Sequence, residues 1–395
     1  MPIRPRTPLP TTAIADHKAG VLSPETYSSG EIISLTSLRG IAAMAVVMQH
    51  FSATAQQHCA VTIPSLVPHG YLAVDLFFVL SGFIMSYTYL YAFQRQGVAA
   101  FPAFLGKRVA RIMPLNTAVV LLILGAGAAS TAMLGRNIIA SSDNWLLDIF
   151  SNLLLLQGFG IGRNLNGPSW SISTEFLAYL LFPALTVLAF SRQMLVWGAA
   201  MLVCVLALVG IASTFPRLGL GAEGVPLSLV RCVAEFTLGI GCYRLSIDPA
   251  AARPLRRDAV SLALIAACLA FMLLRLDLPA ALLFPGLIAS LAVNRGLVAR
   301  MMSAPWLRFL GVVSFSLYLT HQVFRPIDLE LLRWAHPAPL DGPAALLFAF
   351  VASLAVVPFA WLAYFVVERP GRVFVRYLLG GARRATRGSD IATGM

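Results

Sequence analysis

The stretch WLLDIFSNLLLLQGF, Trp145 to Phe159, is apolar enough to enter a bilayer, yet Asp148 and Asn152 interrupt it. A helical crossing takes about 20 predominantly apolar residues, so this run is short as well as broken. Every later segment faces one way if the stretch crosses and the opposite way if it does not. Around it lie ten candidate crossings, at roughly 33–53, 71–92, 114–135, 169–190, 194–214, 226–245, 258–275, 279–294, 309–327 and 343–367.

Charge decides between the two readings, because cytoplasmic loops of membrane proteins carry an excess of Lys and Arg. Suppose the stretch does not cross and the N-terminus is cytoplasmic. The cytoplasmic side then holds 22 of the 29 Lys and Arg residues, including the Arg244/Arg253/Arg256/Arg257 cluster and the tail from Arg369 to Arg387. Only Arg136, Arg163, Arg217, Arg231, Arg275, Arg325 and Arg333 fall outside. If the stretch crosses, the basic 244–257 loop faces outward, against the bias. The sequence therefore predicts an all-α, polytopic membrane helical bundle with about ten transmembrane helices and both termini cytoplasmic. Trp145–Phe159 is expected as a short re-entrant or interfacial segment.

Composition agrees. The chain has 395 residues, 58% of them hydrophobic and 12% charged, with a mean hydropathy of +0.79, where a soluble domain carries about 25% charge. The net charge of +12 follows from topology and from attraction to an anionic bilayer surface, so no nucleic-acid partner is expected. Residues 1–31 read as a polar, Pro-rich cytoplasmic arm, 32–372 as the membrane domain and 373–395 as a basic cytoplasmic tail. No cleavable signal peptide is visible, so the first span is expected to direct insertion. Of the five cysteines, four lie inside apolar runs and none has metal-ligand spacing. They are expected as small hydrophobic residues, neither disulfides nor a metal site.

Ionisable groups at bilayer depth are costly and usually mark function or a structural ion pair. With this topology His50, Asp75, Glu175 and His321 fall at one similar depth, in the outer third of four different spans. The bland reading is a set of structural pairs, for instance His50 with Asp75. Two histidines and two carboxylates are also what general acid/base chemistry needs, since a carboxylate orients an imidazole and raises its basicity. A zinc site from the same groups lacks any HExxH-like spacing. At the inner face, FLGKRVARIMPL carries Lys107, Arg108 and Arg111. Arg108 and Arg111, three apart, share a helix face and are suited to hold a phosphate; charge alone favours a plain positive-inside anchor. Arg231 and Glu235, four apart, read as an internal pair. Ser81, Ser169, Ser171 and Ser173 lack the GxSxG context of a serine nucleophile.

The motifs together resemble the integral-membrane acyltransferase 3 family over roughly 31–372. SLRGIAAMAVVMQHF looks like its Arg-x10-His helix, with Arg39 and His50, and VDLFFVLSGF like its second-span signature, with Asp75. RVAR, with Arg108 and Arg111, looks like its Arg-x-x-Arg motif. GPSWSISTEF is similar to its Trp-Ser-x-x-x-Glu segment, with Trp170, Ser171 and Glu175. VSFSLYLTHQ resembles its late-span signature, with His321, and ERP (Glu368 to Pro370) its usual ending.

The resemblance implies an acyl-CoA donor, most often acetyl-CoA, used from the cytoplasmic side of a bacterial-type inner membrane. The acceptor it implies is a hydroxyl of a cell-surface or lipid-linked glycan. No metal is expected. Some members carry an extra soluble hydrolase-like domain, which is not expected here. On this reading Arg39, Lys107, Arg108 and Arg111 bind the donor, and Trp170 and Ser171 contact substrate. His50 is the general base, Asp75 or Glu175 orients it, and His321 positions the acceptor or stabilises the intermediate. The main competitor is a proton-coupled secondary transporter, because intramembrane His and carboxylate groups also build proton relays. The internal symmetry such a transporter should show is not evident. A structural scaffold with buried helix pairs is the third reading.

Overall fold

The computed structural model describes residues 31–59, 66–134, 144–214, 225–335 and 340–379. Most of the polar arm and the end of the basic tail lie outside the described residues, as do Arg136 and Arg217. Within them the chain is helical, with no strand. The helices are α1 (Ile33–Cys59), α2 (Ala73–Gln96), α3 (Phe101–Leu134), α4 (Trp145–Leu153), α5 (Ser169–Ala189), α6 (Met194–Thr214) and α7 (Val225–Ile247). They continue with α8 (Pro249–Leu255), α9 (Asp258–Leu273), α10 (Asp277–Val293), α11 (Leu297–Met302), α12 (Pro305–Ala335) and α13 (Gly342–Ala363). After α13 a π-helical turn, Tyr364–Glu368, carries the same helix on to Leu379. Helix starts follow local chemistry. Asp341 caps α13 by accepting from Ala344 N at 2.8 Å, with Pro343 in the first turn, the arrangement that satisfies an otherwise orphaned amide.

The stretch that decides the topology forms a nine-residue helix, α4, about 13 Å long at 1.5 Å per residue. It is built inside out. Trp145, Leu146, Leu147 and Phe150 are exposed, while Asp148, Ser151 and Asn152 are buried. Those polar residues fasten the returning chain: Asp148 Oδ1 accepts from Arg163 N at 2.7 Å, and Asn152 Nδ2 donates to Arg163 O at 2.6 Å. The reversal runs through Leu155 in the left-handed region (φ 58°), a conformation that costs a non-glycine residue roughly 1–2 kcal/mol. Ser173 Oγ donates to the Leu155 carbonyl and helps to hold it there. The segment turns back on itself and does not cross as a helix.

Among the described residues ten helices have sixteen residues or more. By length and apolarity alone, four helical stretches qualify to cross a membrane: 68–133, 169–189, 194–214 and 342–379. The others fall short for visible reasons. Helices α1, α7 and α12 carry polar residues such as Arg39, His50, Arg231, Glu235 and His321, and α9 and α10 are 16 and 17 residues long.

Two helix pairs set up the interior. Helices α1 and α12 lie side by side and parallel, since Arg39 meets Gly311, His50 meets His321 and Thr54 meets Arg325 in ascending order. Their approach depends on glycine: a Cβ on Gly40 would lie 2.6 Å from Gly311 N. Small residues that let backbones touch are the common device of membrane helix packing. Helices α2 and α7 make the second pair, joined by Asp75 and Arg231, both buried, through Nε to Oδ1 at 2.7 Å and a second bond from Nη2 to Oδ2.

Candidate active site

At one end of the bundle, α1, α3, α12 and the turn after α13 bring four arginines together. Arg39 Nη2 donates to the Gly311 carbonyl at 3.0 Å. Arg108 donates to the Tyr89 hydroxyl at 2.6 Å with its guanidinium 5.1 Å from that ring's centre. Arg111 lies 5.0 Å over the Phe315 ring. Arg111 and Arg372 both bond Glu368, which also accepts from Ser316 Oγ. Glu368 is fully buried on the π-helical turn, a distortion that often marks a functional site. Four guanidinium groups outnumber the two carboxylates near them, Glu368 and Glu175, and leave the corner positive. The Nε of Arg108 is a buried donor with no hydrogen-bond partner, as expected of a group awaiting an anion.

From this corner a cavity of about 150 Å³ runs between α1, α2, α3, α5 and α12. Arg39, Arg108 and Arg111 line its near end, Ser81, Glu175 and Tyr179 its middle, and Phe77, Ser171 and Tyr318 its far end. In the middle Tyr179 donates to Glu175 Oε1 at 2.6 Å and faces Ser81 Oγ at 3.3 Å. At the far end the Ser171 and Tyr318 hydroxyls lie 2.7 Å apart. Beyond Tyr318 stands His321, with ring centres 6.2 Å apart.

His321 and His50 form a pair: His321 Nε2 is 3.1 Å from His50 Nδ1. Their tautomers follow from the backbone. His321 Nδ1 faces the Leu317 carbonyl at 3.2 Å and His50 Nδ1 faces the Val46 carbonyl at 3.0 Å. Donation to both carbonyls requires the hydrogen on Nδ1 of each ring. In that tautomer the one His50 Nδ1–H is shared between the Val46 carbonyl and His321 Nε2, and His50 Nε2 keeps a lone pair. That is the protonation pattern of an imidazole poised to take a proton, with a second imidazole to hold it in place.

The structure thus gathers some of the expected site residues and separates others. His50 and His321 meet. Asp75 does not reach His50, because its carboxylate is committed to Arg231, which also lies 3.6 Å from Glu235. Glu175 stands in the cavity beside Ser81 and Tyr179, six residues into α5 and about 9 Å along its axis. The side chain beside the His50 ring is His321, where a carboxylate was anticipated. Arg39, Arg108 and Arg111 line the cavity, whereas Lys107 is exposed, its ammonium 5.4 Å from the Tyr89 ring. Ser171 lines the far end, and Trp170 supports it from behind, edge-on to Phe78 at 6.3 Å. Glu368 and Arg372 join the site without having been singled out as functional; the ERP ending was their only signal. The four described cysteines, Cys204, Cys232, Cys242 and Cys268, are buried and free. Among the described residues no three His, Cys, Asp or Glu side chains converge as metal ligands.

Comparison with known proteins places this geometry. A family model described as an acyltransferase domain matches residues 32–365. An acyltransferase of Streptomyces mycarofaciens is 30% identical over 91% of this chain and 95% of its own length. A putative O-acetyltransferase of Staphylococcus aureus (strain COL) is 24% identical over 86% of this chain; the match spans 57% of that protein. A peptidoglycan O-acetyltransferase of Listeria monocytogenes is 26% identical over 40% of this chain and 24% of its own length. No solved structure matches. The chain, a membrane protein of long apolar helices with this arrangement of motifs, belongs to the acyltransferase 3 family.

Proposed function

We propose that the protein transfers an acyl group, acetyl being the best fit, from cytoplasmic acyl-CoA to a hydroxyl of a cell-surface or lipid-linked sugar. One observation carries the reading: Arg39 and His50 stand on one helix, α1, with His321 beside His50 on the parallel α12, and the cavity lined by Arg39, Arg108 and Arg111 extends to Tyr318, the neighbour of His321. Arg39 and His50 are eleven residues apart, roughly 16 Å along a helix. An extended pantetheine arm reaches about that far on ordinary chain geometry. The phosphates of CoA rest among Arg39, Arg108 and Arg111, with guanidinium forks suited to them, and the thioester lies near Tyr318 and His50.

His50 Nε2 then removes the proton of the acceptor hydroxyl as its oxygen attacks the thioester carbonyl. When the tetrahedral centre collapses, the C–S bond breaks and the proton passes from His50 to the departing sulfur. The products are an O-ester and free CoA thiol. His321 accepts from His50 Nδ1–H throughout and favours the transient imidazolium. Holding hydroxyl and thioester together supplies much of the rate. The names of two relatives, a putative O-acetyltransferase and a peptidoglycan O-acetyltransferase, support a sugar hydroxyl as acceptor.

In this reading all ten long helices cross an inner membrane, both termini are cytoplasmic, and the arginine corner faces the cytoplasm. The parallel course of α1 and α12, with seven long helices between them, supports that parity. The test uses sealed vesicles of both orientations, acyl-labelled acetyl-CoA and the host's surface-glycan fraction. Alkali-labile label in the glycan only when CoA meets the arginine face is the expected result. Transfer from the opposite face would overturn the sidedness. No transfer from acetyl-, succinyl- or longer acyl-CoA in either orientation would overturn the donor.

A further inference from the structure

The far end of the cavity is lined by two aromatic rings in contact with each other, Phe77 and Tyr318. Phe77 and Tyr318 meet edge to face, with centres 5.8 Å apart at 77°. Tyr318 is fixed. Its hydroxyl lies 2.7 Å from Ser171 Oγ and donates to the Pro168 carbonyl at 3.3 Å, and its ring abuts His321. Phe77 is held by packing alone, at the junction of the main core and the smaller cluster containing Val47, Phe51 and Leu317. Both rings line the cavity, and the histidine pair stands on the other side of Tyr318.

We propose that the Phe77–Tyr318 pair sets the length of the acyl group, restricting the protein to short acyl-CoA donors, with Phe77 as the residue that determines the limit. The inference rests on the donor reading above and adds to it the donor's chemical class. On this proposal the acyl carbons of a donor lying along the cavity meet these two rings, and each further methylene competes with the Phe77 ring for space. Packed interiors tolerate added methylenes poorly, and Tyr318 cannot yield without breaking its contacts to Ser171 and Pro168. Cutting Phe77 back to a methyl group leaves an apolar void, the kind of space that apolar ligands enter.

The experiment measures binding of non-hydrolysable thioether analogues of acyl-CoA with two-, four- and eight-carbon tails, and of free CoA, to purified protein in nanodiscs. No acceptor is needed. Wild type is expected to bind free CoA and the shortest analogue comparably. It should lose about tenfold or more by the longest, the scale on which an apolar pocket discriminates by methylenes. Phe77→Ala should bind the longest analogue at least as tightly as the shortest, and Phe77→Trp should begin to discriminate at four carbons. Phe77→Leu, the milder truncation, stands in if Phe77→Ala fails to fold, with an intermediate profile expected. Equal binding of all lengths by wild type, or an unchanged profile in the truncated variants, overturns the length limit while leaving the donor reading intact. Failure of wild type to bind free CoA or any analogue overturns both.

Discussion

His321 Nε2 lies 3.1 Å from His50 Nδ1, so the group that orients one imidazole in this bundle is another imidazole. Carboxylates usually do this work, and two were at hand in the sequence. Asp75 neutralises Arg231 on α7, and Glu175 serves the arginine end of the cavity. A neutral partner suits an apolar bundle, because it adds no buried charge that would need its own counter-ion. Replacing His321 by Ala should leave donor binding intact and lower kcat, by at most the roughly 10²–10⁴-fold worth of the general base that it positions. His321→Gln, which keeps an acceptor near the same place, should recover part of the loss. An unchanged kcat with a raised KM for acyl-CoA would count against the assignment.

Glu368 belongs to the donor end. It fixes Arg111 and Arg372 together, so Glu368→Gln should misplace the guanidinium groups that hold phosphate. The KM for acyl-CoA should rise by about tenfold, roughly the 1.4 kcal/mol of one weakened contact, with kcat changed far less. A kcat defect at unchanged KM would move Glu368 to the chemical step.

Asp75 is structural in this account. Asp75→Asn replaces the carboxylate paired with Arg231 by a neutral amide and leaves Glu235, at 3.6 Å, as the carboxylate still beside it. Breaking a buried pair in this way costs about 3–5 kcal/mol, so thermal unfolding in detergent should show a large loss. A variant as stable as wild type but inactive would return Asp75 to the catalytic set.

The α1–α12 contact has its own test. A methyl group on Gly311 would run into Thr36 on α1, with the Thr36 methyl 2.7 Å away. Gly311→Ala should therefore destabilise by about 1–3 kcal/mol, the cost of overpacking. Gly286 offers the control, since an added Cβ meets only Leu264 side-chain atoms at 3.6 Å or more. Gly286→Ala should be neutral or stabilising by up to about 1 kcal/mol on helix propensity. Equal effects at the two positions would contradict the close approach of α1 and α12.

What was legible in the sequence divides along physical lines. The long helices cover the apolar runs, because in lipid a spanning backbone must satisfy its own hydrogen bonds, but several run well beyond them: α3 begins at Phe101 where the run begins at 114, and the last helix continues to Leu379 where the run ends at 367. The inside-out character of α4 was signalled by Asp148 and Asn152, polar residues that would be out of place facing lipid. Arg39, His50, Arg108, Arg111 and His321 were visible as costly groups at fixed spacings. Partner choice was not. Nothing in the chain says that Asp75 faces Arg231, 156 positions away, or that His50 faces His321, 271 positions away. Those contacts depend on which helices pack together, and glycine pairs such as Gly40 and Gly311 decide that in three dimensions. Glu368 escaped notice for the same reason: alone it reads as a charge near a helix end, and only the fold puts two arginines on it.

The most direct test of the central claim is transfer by His50→Ala. Membranes holding wild type or the variant at equal, correctly inserted amounts would be given labelled acetyl-CoA and the host's surface-glycan fraction, and alkali-labile label in the glycan would be followed. The account predicts transfer by wild type and none by the variant, with the variant's affinity for free CoA unchanged. Transfer by His50→Ala at the wild-type rate would contradict it.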